Sequence, residues 1–160
     1  MKKSLKYLGA IAFCEAVGIS GGLITSPSVN SWYKALKKPS INPSSVVFGP
    51  VWTILYALMG ISSAIILQSK RGGKVVSLVF FTLQLILNFF WTVLFFGFRS
   101  PFWALVELIF LLVTIIITAA LFFRISRGAG LLFIPYILWV CFASILNIKI
   151  WIINKSMISQ

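Results

Sequence analysis

Polar side chains inside long apolar runs are the residues of this sequence best suited to bind a ligand. Gln84, Asn88 and Trp91 recur at spacings of four and three, so a helix would place them on one face. Three further runs carry comparable stripes, which are Trp52–Tyr56–Met59–Ser63, Trp139–Ala143–Asn147–Trp151 and Trp103–Glu107. Aromatic rings beside polar groups suit a bundle-interior site for a large, flat, mostly apolar ligand. Alternatively, the amides hydrogen-bond between helices and the tryptophans pack at interfaces.

The two acidic residues of the sequence, Glu15 and Glu107, both fall inside apolar runs. An ionised carboxylate in hydrocarbon is costly, so each is expected to pair, to face water or to be protonated. Lys149 is a candidate partner for either. A structural ion pair or hydrogen bond is the favoured interpretation, with proton coupling as the alternative.

The composition argues against an enzyme with ordinary acid–base catalysis and against a soluble protein. Histidine is absent, so neither a His-based triad nor an imidazole metal ligand can form, and we predict no metal site and no obligatory cofactor. Hydrophobic residues make up 60% of the chain and charged residues 10%, with a net charge of +12. Because the basic residues lie between apolar stretches, they suit lipid headgroups and topology signals better than nucleic acid.

The apolar runs predict an all-α fold, an integral membrane bundle of five transmembrane helices within a single domain, 1–160. Each run is long enough to cross a hydrocarbon core of about 30 Å. The predicted spans are 7–25, 46–68, 75–98, 102–123 and 130–153. Short connections predict antiparallel neighbours. Glu15 interrupts the first run and no clear cleavage site follows, so this run is interpreted as a retained helix and not a signal peptide.

The first connection, 26–45, is long and is expected to be structured. It contains Trp32, Tyr33, three lysines and three prolines. Long structured loops in compact domains are often functional lids. The alternative is an interfacial anchor, because Trp, Tyr and Lys favour the headgroup level.

Charge distribution and small residues give two further expectations. More basic residues lie on the N-terminal side of the bundle than on the other, which predicts a cytoplasmic N-terminus in the cell membrane. Ala10, Cys14, Gly18 and Gly22 recur every four residues, and this stripe could pack inside the bundle or mediate a dimer.

The sequence resembles the tryptophan-rich sensory protein family, also known as the translocator protein or peripheral-type benzodiazepine receptor family (TspO/MBR). The segments that carry the resemblance are 32–40 (WYKALKKPS), 48–60 (FGPVWTILYALMG), 84–88 with Trp91, 95–97 (FFG), 103–107 (WALVE) and 135–139 (PYILW) through Asn147. They occur in order over nearly the whole chain, and their combination is specific. The sequence departs from the cholesterol motif proposed for the animal members, because Leu146-Asn147 is followed by Ile148-Lys149 and not by the expected Tyr and basic residue.

The resemblance implies a dimeric five-helix bundle whose pocket opens toward the first loop and binds porphyrins such as protoporphyrin IX. The pocket residues it implies are Tyr33, Pro43, Trp52, Tyr56, Asn88, Trp91, Trp103, Glu107, Trp139 and Ala143. The function expected first is a membrane tetrapyrrole-binding protein with a sensory or regulatory role. The alternatives are light-dependent porphyrin degradation, with Trp52 and Trp139 as possible redox partners, and transport of porphyrins, small cations or other small hydrophobic molecules.

Overall fold

A computed structural model describes residues 2–158, which form a bundle of antiparallel helices. Helices make up 85% of the structure, and no strand occurs in the described part of the chain. The elements are α1 (Lys2–Val29), α2 (Trp32–Ala35), α3 (Ser45–Gln68), α4 (Lys74–Thr92) with a π-helical turn (Val93–Gly97), α5 (Pro101–Ile125), α6 (Arg127–Leu131), α7 (Ile134–Ile153) and α8 (Lys155–Ile158).

Five segments are long and apolar enough to cross a membrane, and they confirm the predicted fold class. They are Ser4–Val29, Ser45–Gln68, Lys74–Gly97, Pro101–Ile125 and Arg127–Ile153. Two details differ from the predicted spans. The first helix continues through Pro27 to Val29, which shortens the loop, and the fifth span is divided into α6 and α7.

The ends of the helices follow from local chemistry. Pro101 opens α5, a position where its missing N–H is harmless. Gly73, with φ of 83°, precedes α4 in a left-handed conformation that favours glycine. Arg71 donates from Nη1 to the carbonyl oxygen of Ile125 at 3.0 Å, and so ties this loop to the end of α5.

Close contact between α1 and α3 depends on small residues. Gly60 of α3 lies against the backbone of Ile11, and Gly18 of α1 lies against the ring of Tyr56. Cys14 is fully buried in the same core. Cys14 and Gly18 of the small-residue stripe therefore pack inside the bundle, one of the two roles expected for the stripe.

The first loop is structured and is fastened to the far end of the chain. The backbone N–H of Lys37 donates to Oδ1 of Asn154 at 2.9 Å, and Nδ2 of Asn154 donates to the carbonyl oxygen of Lys37 at 2.8 Å. Asn154 also donates to the carbonyl oxygen of Ile150 at 2.8 Å. The side chain of Asn154 is thus a buried clamp between the loop and the end of α7.

Candidate functional site

A cavity of about 410 Å³ lies between α1, α3, α4 and α7, beneath the first loop. Its volume falls within the range typical of small-molecule sites. Glycines and small polar residues of α1 form one wall, which are Gly18, Gly21, Gly22, Thr25 and Ser26. Because these side chains are small or missing, α1 leaves room for a guest against the aromatic residues of the other helices.

Aromatic rings form much of the remaining wall. Trp52 contacts Tyr56 with ring centroids 5.6 Å apart. Trp91 stacks on Phe95 at 5.3 Å with an interplanar angle of 23°, and Phe95 meets Phe96 edge to face. Phe95 and Phe96 belong to the π-helical turn that ends the third span. π-Helical turns are rare and occur frequently at functional sites.

Two asparagines that line the cavity also join the helices around it. Asn88 accepts a hydrogen bond at Oδ1 from the hydroxyl of Tyr56, and its Nδ2 donates to the hydroxyl of Tyr136 at 3.0 Å. Asn147 accepts from Nε1 of Trp91 at 3.3 Å and donates to the carbonyl oxygen of Pro101 at 2.7 Å. These amides therefore do both things expected of them: they line the cavity and they form hydrogen bonds between helices.

The loop end of the cavity is built around Tyr33. Its hydroxyl donates to Oδ1 of Asn42 at 3.1 Å, and both residues line the cavity. The ammonium of Lys38 lies 4.8 Å from the centroid of the Tyr33 ring, in cation–π contact. Burial raises the pKa of Tyr33, and the hydrogen bond with Asn42 opposes this to a smaller extent, so the hydroxyl is a neutral donor at physiological pH.

Six of the ten predicted site residues line the cavity, which are Tyr33, Trp52, Tyr56, Asn88, Trp91 and Ala143. Two others stand directly behind its wall. Pro43 follows the lining residue Asn42 and accepts a hydrogen bond from it at 2.9 Å. Trp139 packs edge to face on the lining residue Phe48, with centroids 5.8 Å apart.

The two predicted site residues on α5 do not reach the cavity. Trp103 is 60% exposed and packs on Phe102. Both carboxyl oxygens of Glu107 are buried, and they have no hydrogen-bond partner within the described residues. The proposed ion pair between Glu107 and Lys149 is therefore not formed. Trp103 and Glu107 miss the cavity because α5 packs against α4 and α7 and contributes no residue to the lining.

The sequence interpretation missed the contribution of α1 to the site. Glu15, Gly18 and Gly22 all line the cavity, and their spacing of three and four places them on one helix face. The spacing was present in the sequence, but the glycines were assigned to packing or to a dimer interface, and Glu15 to an ion pair or to proton coupling. Lys149, the predicted partner of Glu15, is exposed and does not line the cavity.

Comparison with known proteins gives the same family over nearly the whole length. Residues 10–152 match the TspO/MBR family. The "Tryptophan-rich protein TspO" of Chlorobaculum tepidum is 41% identical over 155 residues, covering 96% of this chain and 98% of the relative. The protein of the same name from Archaeoglobus fulgidus is 40% identical over 151 residues, covering 94% and 97%. The human "Translocator protein" is 38% identical over 123 residues, covering 75% and 73%.

The family match covers three of the five membrane spans completely and most of the first and the last, and so includes every helix that lines the cavity. With the five-helix fold and a cavity beneath a structured first loop, they leave one assignment: this multi-pass membrane protein belongs to the TspO/MBR family.

Proposed function

We propose that this protein binds a tetrapyrrole of the protoporphyrin IX type in the cavity and has a sensory or regulatory role. The observation that carries the proposal is a cavity of about 410 Å³ whose walls present the indoles of Trp52 and Trp91. A flat conjugated ring would stack on these faces. A nucleobase stacked on an aromatic side chain gains about 1–3 kcal/mol, and we expect a similar gain here. The asparagine amides have spare hydrogen-bonding capacity to fix its orientation.

The loop end of the cavity suits the carboxylates of such a guest. Lys38 lies over Tyr33 at this end, and its ammonium donates to the carbonyl oxygens of Leu36 and Lys34 at 3.1 and 3.3 Å. These neutral acceptors leave its charge uncompensated. A propionate at the loop would therefore find a cation beside the lining residue Tyr33 whose charge no carboxylate of the described residues neutralises.

In a sensory role, a bound guest would change the conformation of a surface to which other molecules can bind. Tyr33 lines the cavity on one side and belongs to the loop on the other. The same loop is clamped to α7 by Asn154. Occupancy of the cavity would thus be reported at the membrane surface through the position of this loop.

Titration of the purified protein with protoporphyrin IX, followed by quenching of tryptophan fluorescence, tests the proposal. We expect saturable binding that is weakened about tenfold or more by Trp52→Ala, which removes one stacking face. Trp151→Ala is the matched control, because Trp151 packs on Phe102 outside the cavity. Absence of saturable quenching in the unaltered protein, or equal losses in both variants, would refute the proposal.

A further inference from the structure

Glu15 is the one charged side chain that lines the cavity in the part of the chain that the structure describes. It belongs to α1, on the face that also carries Gly18 and Gly22, and its side chain is only partly buried. Lys149, the partner predicted from the sequence, is exposed and does not line the cavity. The carboxylate is therefore available to a molecule that enters.

Glu15 lies at the end of the cavity that is farther from Lys38, the loop lysine that contacts Tyr33. Gly18, one turn after Glu15, lies against the ring of Tyr56, whereas Val29 lines the cavity beside the loop. Fourteen residues separate Glu15 from Val29, which is about 20 Å along a helix. The charged group of the cavity lining thus lies at the deep end, near Tyr56, whereas Lys38 contacts the Tyr33 ring beside the loop end without itself lining the cavity.

An unpartnered carboxylate at this depth discriminates strongly between guests. The surrounding lining is mostly aromatic, glycine or aliphatic, so charges there are less screened than in water. A second carboxylate placed beside Glu15 would be repelled. A protonated nitrogen would gain a charge-assisted hydrogen bond and would satisfy an acceptor that otherwise depends on water.

We infer that Glu15 sets the charge preference of the cavity by accepting a hydrogen bond from a protonated nitrogen on the deep edge of an aromatic guest. This inference rests on the proposed aromatic-binding function and adds the substrate class of planar amines and aromatic cations. It also assigns an orientation to a guest that carries carboxylates. Such a guest enters with its acidic edge toward Lys38 and away from Glu15.

The experiment compares two fluorescent tricyclic probes of similar shape, cationic aminoacridine and anionic anthracene carboxylate. The full-length protein is placed in nanodiscs of phosphatidylcholine alone, because anionic lipid would itself attract the cation. We expect the unaltered protein to bind aminoacridine more tightly than anthracene carboxylate. In Glu15→Gln, aminoacridine affinity should fall roughly 10- to 100-fold, as for loss of a hydrogen bond to a charged group.

Two controls separate charge from shape and from the proposed function. Glu15→Asp keeps the carboxylate and should keep the preference for the cation, and protoporphyrin IX binding is measured separately in the unaltered protein. Equal affinity of the unaltered protein for both probes would overturn the inference without needing any variant. Undiminished aminoacridine binding in Glu15→Gln would overturn it as well, while porphyrin binding by the unaltered protein would leave the proposed function standing. Failure of porphyrin and of both probes to bind would refute the two together.

Discussion

At the scale of single residues, the cavity is held open by amides that each serve two helices. Asn88 of α4 connects Tyr56 of α3 with Tyr136 of α7. All three side chains are buried, and Tyr136 does not line the cavity, so bulk water cannot replace the partner of its hydroxyl. A buried hydroxyl without a partner costs about 1–3 kcal/mol, which makes this amide more important to stability than its own two bonds suggest.

Asn88→Leu is expected to destabilise the protein by roughly 1–3 kcal/mol, because it leaves two phenol hydroxyls unpaired. Thermal unfolding in detergent, followed by circular dichroism, measures the effect. In the double variant Asn88→Leu/Tyr56→Phe one unpaired hydroxyl is also removed, and part of the stability should return. If the double variant loses the sum of the two single losses, the hydrogen bonds do not stabilise the bundle as described.

The structure and the family resemblance disagree about the position of Trp103. The resemblance implies a pocket residue, whereas the structure leaves this indole 60% exposed on α5. We therefore expect Trp103→Ala to bind protoporphyrin IX with the affinity of the unaltered protein in the quenching titration. A loss comparable to that of Trp52→Ala would mean that α5 turns this side chain toward the guest when the cavity is occupied.

At the scale of helices, spacing in the sequence predicted which residues share a face but not which faces meet. Trp52 with Tyr56, and Asn88 with Trp91, were assigned correctly to single helix faces, and both pairs line the cavity. Trp103 and Glu107 were placed with them both by their spacing and by the resemblance, but neither lines the cavity. The rotation of each helix about its axis is decided by packing against its neighbours, and nothing in the α5 sequence specifies that rotation. The glycine wall of α1 was missed for the same reason, since the same spacing serves packing and cavity lining alike.

The contact between α1 and α3 makes a prediction about Gly60. A methyl group at Gly60 would lie 2.5 Å from Cα of Ile11, and this backbone atom cannot move aside as a side chain could. Gly60→Ala should destabilise the protein by about 1–3 kcal/mol, although alanine is the better helix former. Gly9→Ala is the matched control in α1, where nothing lies within 4 Å of the added methyl group. Equal melting temperatures for the two variants would contradict the close approach of these helices.

The clamp between the first loop and α7 makes a prediction about Asn154. Asn154→Ala removes both hydrogen bonds to Lys37 and frees the loop from the end of the bundle. We expect faster hydrogen exchange at the Lys37 amide and faster release of protoporphyrin IX, because release requires the loop to move. Asn30→Ala is the control, an exposed asparagine near the start of the loop. Unchanged exchange and release in Asn154→Ala would show that the loop is held by other contacts.

At the scale of the whole molecule, the packing of α1 restricts how two copies could associate. The resemblance implies a homodimer, and Ala10, Cys14, Gly18 and Gly22 offered a candidate interface. Cys14 is fully buried and Gly18 lies against Tyr56 within one protomer, so these two positions are unavailable to a partner. A dimer of this chain would therefore not be centred on Cys14 and Gly18.

The odd number of spans places the two ends of the chain on opposite sides of the membrane, and the basic residues decide which end is inside. The N-terminal side carries the loop with Lys70, Arg71 and Lys74, together with Arg124 and Arg127, whereas the loop over the cavity carries three lysines. Because the positive-inside rule counts such short segments, we expect a cytoplasmic N-terminus and a cavity that opens outward. Alkaline phosphatase fused after Gln160 should be active, and the same enzyme inserted at Gly72 should be inactive. The opposite pattern would turn the loop toward the cytoplasm and would require its ligand to arrive from inside the cell.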